Sequence, residues 1–355
     1  CLFERKETVG IPVRCGEGIG KRSLMDHIEA KQSWIKNTTR KTIMVSPSGI
    51  RVEVGGDTES YILDREKMDF DLVQGAISAG VEFYPSTSIV SIKKVSQGYE
   101  CISSQKTFQA KLVIIADGVE SRLAKDLGWN TTLSLEDIET SAFARVVSPF
   151  IDKESCMFFT GTGVAPGGYA WIFPKGAGEA NVGLGISGTN SNPGKARELL
   201  LKFIDKEFPS AKISNLHCGG IPVTRYVRPL VSDGVILVGD AARQVNCLTG
   251  AGLGFSFYAG SLCGRIAAES IRNGVVNYNH LKQYELTWKK GFGKQQERSF
   301  ALKNFVSKYA DDKFLDKIAN SLSKESPSKI NYLRIFMRTF AGHPILLLKV
   351  MKLFK

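Results

Sequence analysis

The chain has 355 residues, 43% of them hydrophobic, enough to bury a large core and to form more than one domain. No apolar run approaches the ~18 residues of a membrane span, and the visible start does not read as a signal peptide, so a soluble enzyme with a membrane habit is expected. Seven cysteines, an odd number with no Cys-x-x-Cys pair, indicate neither a disulfide framework nor a zinc site, and no other metal set stands out; the expected compartment is a reducing cytoplasm, and the net charge of +12 calls for an explanation by its location.

In chain order, Cys1-Leu2-Phe3-Glu4 is an apolar stretch ending in an acid, the pattern of the second strand of a dinucleotide-binding βαβ unit, where the acid bonds ribose hydroxyls. The strand and glycine-rich turn that should precede Glu4 by ~20 residues are absent. With no initiator Met either, the expectation is a sequence lacking its first βα unit. Cys15-Gly16-Glu17-Gly18-Ile19-Gly20-Lys21-Arg22 is not a phosphate loop, because it lacks the first Gly and the Ser or Thr after the Lys. Between Thr42 and Ile62, the residues Ile43, Val45, Ile50, Val52 and Val54 alternate with polar groups and predict a β-rich excursion. Lys111-Leu112-Val113-Ile114-Ile115-Ala116 predicts a buried strand ending in Asp117-Gly118, with Ser121 and Arg122 on the helix start that follows.

Residues 138–188 read as antiparallel strands, from Glu139–Val146 through Tyr169–Phe173 to Ala180–Ile186, a sheet roofing a pocket. Tyr169, Trp171 and Phe173 alternate and so share one face of their strand, a face that could line a pocket or simply pack a core. Gly183-Leu184-Gly185-Ile186-Ser187-Gly188 has dinucleotide spacing, but Thr189-Asn190-Ser191-Asn192-Pro193 stands where the helix should begin, so phosphate binding is not expected there. Ala196–Phe208 predicts a helix.

The most informative stretch is Gly234-Val235-Ile236-Leu237-Val238-Gly239-Asp240, followed by Asn246-Cys247-Leu248-Thr249-Gly250-Ala251-Gly252-Leu253-Gly254 opening a helix. A buried strand into Gly-Asp and then a glycine-rich helix start suits a cofactor with a polyol and a pyrophosphate: the carboxylate accepts hydroxyl protons and free backbone N–H groups face the phosphates. FAD is such a cofactor. From Tyr278 to Lys355 the chain should be mostly helical. After Glu325 there is no acid, while Lys329, Arg334, Arg338, Lys349, Lys352 and Lys355 stand among aliphatic residues and carry half of the net charge. Two short helical stretches around Gly342-His343-Pro344 would each show a basic and an apolar side, as on anionic headgroups or docked on the protein's own core. No nucleic-acid motif accompanies these basic residues.

These segments, in this order, resemble the geranylgeranyl reductases, within the para-hydroxybenzoate hydroxylase-like flavoproteins, and among them the archaeal digeranylgeranylglycerophospholipid reductases. The resemblance rests on Glu4, Pro12-Val13-Arg14-Cys15-Gly16-Glu17-Gly18, Tyr61-Ile62-Leu63-Asp64-Arg65, Asp117-Gly118, Tyr169-Ala170-Trp171-Ile172-Phe173-Pro174 and Gly239-Asp240 with its glycine-rich tail. Most specific is the Tyr-x-Trp-x-Phe-Pro segment with Gly183-Leu184-Gly185 eight residues on. The resemblance implies that Glu4 holds the adenosine ribose and that Cys15, Gly16 and Gly18 lie by the flavin. It implies further that Arg65 reaches FAD, that the Ile89 backbone passes the adenine, and that Asp117, Asp240, Gly252 and Leu253 contact the cofactor. Tyr169, Trp171, Phe173, Gly183 and Gly185 would line the lipid pocket, and Cys15 is the first residue to test for catalysis. The family's first glycine motif has no counterpart, so about 30 further residues containing Gly-x-Gly-x-x-Gly should complete the cofactor site.

The fold expected is α/β: a Rossmann-like FAD-binding domain without its first βα unit (1–137 and 213–275), an antiparallel-sheet substrate domain (138–212) and a helical C-terminal region (276–355). The expected activity is reduction of geranylgeranyl C=C bonds in isoprenoid membrane lipids by hydride from reduced flavin, while the protein aligns the chain and excludes water. The electron donor would be NAD(P)H, a ferredoxin or a quinol, and the basic C-terminal region would hold the protein peripherally at the cytoplasmic membrane. Two alternatives remain open to the sequence: a flavin monooxygenase of the same fold, and a non-catalytic lipid-binding protein. His27, His217, His280 and His343 are scattered and form no catalytic set.

Overall fold

The computed structural model describes residues 1–55 and 59–325. The chain opens with β1 (Leu2–Phe3), then β2 (Gly18–Gly20), which runs into the short helix α1 (Lys21–Met25). β3 (Ile35–Thr39), β4 (Lys41–Val45), β5 (Arg51–Val54) and β6 (Ser60–Leu63) follow. Helix α2 (Arg65–Ser78) begins where the Asp64 carboxylate accepts the Lys67 N–H, an N-cap that satisfies one of the orphan donors of the first turn. β7 (Phe83–Tyr84) pairs in parallel with β1. β8 (Ile89–Val95), β9 (Gly98–Ser103) and β10 (Thr107–Ala110) form an antiparallel meander, and β11 (Val113–Ile115) leads to α3 (Arg122–Asp126).

β12 (Ile138–Val147), β13 (Ser155–Thr160), β14 (Tyr169–Gly176) and β15 (Glu179–Ser187) build the large sheet, followed by α4 (Lys195–Glu207) and β16 (Lys212–Pro222). Its seven strands run β16-β12-β15-β14-β13-β4-β5. The 42–62 excursion is therefore shared: β4 and β5 extend the large sheet, with β4 parallel to β13, whereas β6 pairs with β2 and β3. The sheet also reaches past residue 212, because β16 forms its other edge.

Alternation divides the residues of this sheet between two faces. Ala142, Ala144 and Val146, with Val182, Leu184 and Ile186, pack beneath Leu200, Phe203 and Ile204 of α4. Burying each of those three helix side chains contributes roughly 1.5–3 kcal/mol, which fixes α4 as the lid of that face. The opposite face carries Glu139, Ser141 and Phe143, Asn181, Gly183 and Gly185, and Tyr169, Trp171, Phe173 and Lys175.

The chain then returns through β17 (Val231–Ser232) and β18 (Val235–Leu237) to the helices α5 (Leu253–Arg272), α6 (Tyr278–Lys290), α7 (Phe292–Tyr309) and α8 (Asp312–Leu322). Tyr284 and Trp288 of α6 are fully buried in a core with Phe255, Ala259 and Leu262 of α5 and the strands β11 and β18. β11 and β18 are parallel, with Ile115 opposite Leu237. Asp117 and Gly239-Asp240 thus emerge at one edge, the C-terminal end of parallel strands where α/β folds place ligands. Helix α8 is tied to the far edge of the large sheet: Asp316 accepts from Ser46 Oγ and Ser48 N, and Asp312 accepts from Thr162 N and Oγ1. Among the described residues no helix is long and apolar enough to cross a membrane. The basic stretches expected after Glu325 lie outside the described residues.

Candidate active site

The open face of the large sheet meets the Cys15–Gly18 segment, and glycine makes the approach possible. A Cβ at Gly16 would stand 3.2 Å from the Phe173 ring and 3.3 Å from Trp171 Nε1, and one at Gly18 would stand 3.1 Å from Phe173. Trp171 is seated between two glycines, since a Cβ at Gly183 would come within 2.3 Å of its Cζ2. Its Nε1–H donates to Asn181 Oδ1 at 3.0 Å, so the ring is held as well as packed.

Beneath these rings lies a buried polar network. Glu17, with a left-handed φ of 68°, turns its carboxylate inward onto Lys175 Nζ at 2.6 Å. Their side chains are only 7% and 3% exposed. Asn181 Nδ2 donates to Glu17 Oε2 at 3.1 Å and to the Cys15 carbonyl at 3.0 Å, while Lys175 also reaches the Leu63 carbonyl at 3.5 Å. Charges removed from water need such paired, hydrogen-bonded surroundings. The network therefore fastens the Cys15 segment to the sheet at a fixed height.

On the other side of that segment, Cys15 Sγ accepts the Glu17 N–H at 3.2 Å and lies beside Arg65. Arg65, the first residue of α2, grips Asp69 with two bonds of 3.0 and 2.9 Å. Burial works against the Arg65 charge, but Cys15 and Asp69 outweigh it and raise its pKa. Arg65 also faces Asp240, whose carboxyl is pushed above its ordinary value by burial and drawn partly back by the Arg65 charge. Yet the Asp240 side chain is open to water. It is surrounded by protein and still keeps solvent access. A Cβ at Gly252 would stand 3.7 Å from Asp240 Oδ1, and no side chain caps the start of α5 there.

The loop between Asp240 and α5 crosses back over the sheet. Tyr169 Oη donates to the Thr249 carbonyl, and Gly250 rests against Ile221 of β16. Between those two contacts sits Glu139, paired in register with Ile221 and only 6% exposed. A Cβ at Gly185 would come 2.8 Å from its Oε2. Burial raises the Glu139 carboxyl to about 7, against a weaker opposing pull from Lys303. Burial, then the charges of Glu139 and Cys15, raise the Tyr169 phenol too.

The structure thus brings Cys15, Gly16, Gly18, Arg65, Asp240, Gly252, Tyr169, Trp171, Phe173, Gly183 and Gly185 into one connected region. Leu253 opens α5 and packs on the neighbouring cluster of Leu24, Trp34 and Tyr61. Asp117 accepts the Leu123 N–H at 3.2 Å at the start of α3, beside the Asp240 turn. Glu4 and Ile89 stand apart from this group, on the β1–β7 and β8 side, where Glu4 Oε1 accepts the Lys6 N–H and the Glu4 carbonyl accepts the Thr87 N–H. Within the aromatic set, Trp171 is enclosed, and Tyr169 and Phe173 are half-buried. Glu17, Lys175, Asn181 and Glu139 were not expected from the motifs. The signal that could have found three of them is the alternation itself, which carries Lys175, Asn181 and Glu139 onto the aromatic face.

Residues 137–221, from just before β12 to β16, match the family model for the geranylgeranyl reductase catalytic domain. The chain is 35% identical to the digeranylgeranylglycerophospholipid reductase of Methanothrix thermoacetophila, over 95% of this chain and 89% of that one. It is 36% identical to the reductase of the same name from Methanosarcina acetivorans, over 100% and 90%. Among solved structures, the geranylgeranyl bacteriochlorophyll reductase-like protein of Thermoplasma acidophilum superposes with a TM-score of 0.88 at 28% identity, covering 99% of this chain and 92% of that one. The halogenase PltM, crystallised with phloroglucinol and FAD, shares the fold alone, at TM-score 0.63 and 15% identity over 92% and 71% of the two chains.

Proposed function

This chain belongs to the digeranylgeranylglycerophospholipid reductase family, and from that premise we propose that it is an FAD-dependent reductase that saturates C=C bonds of geranylgeranyl chains in archaeal-type membrane lipids or their precursors. The observation that carries the reading is the adjacency of two surfaces joined by the loop before α5: Arg65, Asp240 and the uncapped start of α5 on one side, and the half-buried rings of Tyr169 and Phe173 on the other.

The first surface fits the cofactor. A solvent-accessible carboxylate, with a glycine beside it and free helix N–H groups adjacent, accepts polyol hydroxyls and faces phosphates. In this reading Asp240 holds the ribityl chain, Gly252 and Leu253 face the pyrophosphate, Arg65 sets the local charge, Asp117 contacts the cofactor beside Asp240, and Glu4 and Ile89 serve the adenosine end. Reduced FAD, when bound, supplies hydride to an alkene carbon. The protein's own part is to hold the chain against Tyr169 and Phe173, to keep Cys15 at fixed height through Asn181 and Glu17, and to exclude water from the reacting carbons. Cys15, half buried beside Arg65, bears in this reading on the reacting end of the substrate. Electrons come from NAD(P)H, a ferredoxin or a quinol, and the basic residues that follow Glu325 hold the protein at the cytoplasmic membrane surface.

The test is anaerobic incubation with dithionite-reduced FAD and a digeranylgeranyl glycerophospholipid. The expected product gains mass in steps of two hydrogens, and Asp240→Ala weakens FAD binding by at least about tenfold, the loss of one charge-assisted hydrogen bond. An unchanged lipid with FAD bound rejects the reading, and a product heavier by one oxygen under air replaces it with a monooxygenase.

A further inference from the structure

Glu139, 6% exposed, is the one charged side chain on the sheet's open face, among the described residues, for which the structure gives no ion pair or protein hydrogen bond to its carboxylate. Lys175 has Glu17, and Arg145 at the sheet edge has Glu179. The two contacts of the loop before α5, Tyr169 to Thr249 and Gly250 to Ile221, fall on either side of Glu139, so the loop bridges it. Gly185 supplies the space its carboxyl occupies, since any side chain at 185 would strike Oε2. The titratable groups facing it are Tyr169 of β14 and Lys303 of α7. Lys303 is engaged with the carbonyls of Glu136 and Val223, at 2.9 and 2.8 Å, and lends only a distant charge. A carboxyl only 6% exposed, with no protein hydrogen-bond partner and little access to water, at the junction of the cofactor loop and the signature glycine, is a costly arrangement unless the group has work there.

We propose that Glu139 is the acid that delivers the proton in alkene reduction, an inference that rests on the reductase reading above. The balance is direct. The π bond breaks, hydride supplied by reduced flavin forms a C–H bond at one carbon, and the Glu139 O–H bond breaks as its proton forms a C–H bond at the other. The flavin is left oxidised, and the Glu139 carboxylate regains a proton from water that enters after product leaves. Tyr169 cannot take this role, because its hydroxyl proton is committed to the Thr249 carbonyl and its acidity is suppressed. Glu139 is protonated through the acid half of the physiological range, which a general acid near neutrality requires.

The test compares wild type with Glu139→Gln and Glu139→Asp as FAD-loaded holoenzymes, mixing dithionite-reduced protein anaerobically with a digeranylgeranyl glycerophospholipid. Glu139→Gln should slow single-turnover flavin oxidation by about 10²–10⁴-fold and flatten the alkaline fall of the rate, with FAD and lipid binding changed by no more than about twofold. Glu139→Asp should recover part of the rate. A second readout needs no flavin: at about pH 6, where an ordinary glutamate is ionised, the infrared difference between wild type and Glu139→Gln should contain a protonated-carboxyl band. A wild-type enzyme that saturates the lipid while Glu139→Gln keeps rate and pH profile overturns the proposal alone, as does absence of the infrared band. A wild-type enzyme that leaves the lipid unchanged overturns the reductase reading together with it.

Discussion

Replacing Lys175 by Met should unlock the Cys15 segment from the sheet. Its ammonium is 3% exposed and contacts Glu17 Oε2 at 2.6 Å, so the substitution leaves a carboxylate only 7% exposed with Asn181 as its sole remaining side-chain donor. Breaking a buried pair by removing one partner costs about 3–5 kcal/mol, because the surviving charge is uncompensated. Removing both charges, in Glu17→Gln with Lys175→Met, eliminates that penalty and leaves two groups able to share a dry contact. The double variant should therefore cost less than the sum of the single ones by about 2 kcal/mol or more. Urea unfolding followed by tryptophan fluorescence provides the cycle, and Trp171 reports locally because its N–H is tied to the same Asn181. FAD affinity should fall in Lys175→Met and recover in the double variant, since Asn181 is free to return to the Cys15 carbonyl. A single variant within about 1 kcal/mol of wild type, or a cycle that is simply additive, refutes the assignment of this pair as the fastener.

Glu139 makes stability depend on pH in a defined direction. Its folded-state pKa is raised from 4.5 to about 7, so the folded protein holds the proton more tightly. Its contribution is complete below about pH 4.5 and is lost as pH rises through 7, a span worth roughly 3 kcal/mol at about 1.4 kcal/mol per pH unit. Glu139→Gln should thus match wild type near pH 4.5 and exceed it by up to that amount at about pH 8; parallel stability curves across the range count against a buried, protonated Glu139. Gly183→Ala puts a methyl 2.3 Å from the Trp171 ring and 2.6 Å from Phe143 Cβ, and should destabilise by about 1–3 kcal/mol by overpacking. Gly163, with open space around it and no left-handed φ, is the control site, where Ala should be near neutral in the same thermal melts.

The alternation of Tyr169, Trp171 and Phe173 was legible because period two is a property of the strand itself. So was the pairing of the two Asp-bearing turns: Asp117 and Asp240 each end an apolar strand, and parallel strands bring such ends to one edge. What the same alternation could not disclose is what covers the face. Lys175 and Asn181 continue it, but a lysine at a strand end reads as solvated until its partner is known. That partner, Glu17, is 158 residues away in the chain. The place of β4 was hidden for the same reason: its parallel pairing with β13, from Lys41 against Ser155 onward, is a contact of the folded chain that no local pattern announces.

The glycines tell the same story from the other side. Gly183-Leu184-Gly185 invites comparison with a phosphate loop, and the absence of a helix after it argues against one, but the positive reason for these glycines lies across the sheet. Gly183 seats Trp171, Gly185 makes room for Glu139, and Gly16 and Gly18 admit the edges of Trp171 and Phe173 from the facing segment. With α4 sealing the back of the sheet and these rings pressed into glycine on the front, the aromatic surface left partly open, among the described residues, is that of Tyr169, Phe173 and their neighbour Phe158, with Glu139 at one end and Cys15, Arg65 and Asp240 beside it. The aromatic and glycine motifs are therefore two halves of one packing solution. Among the described residues, a long apolar chain laid along that surface would meet no unpaired lysine or arginine and would reach the Glu139 carboxyl close to the loop that opens α5.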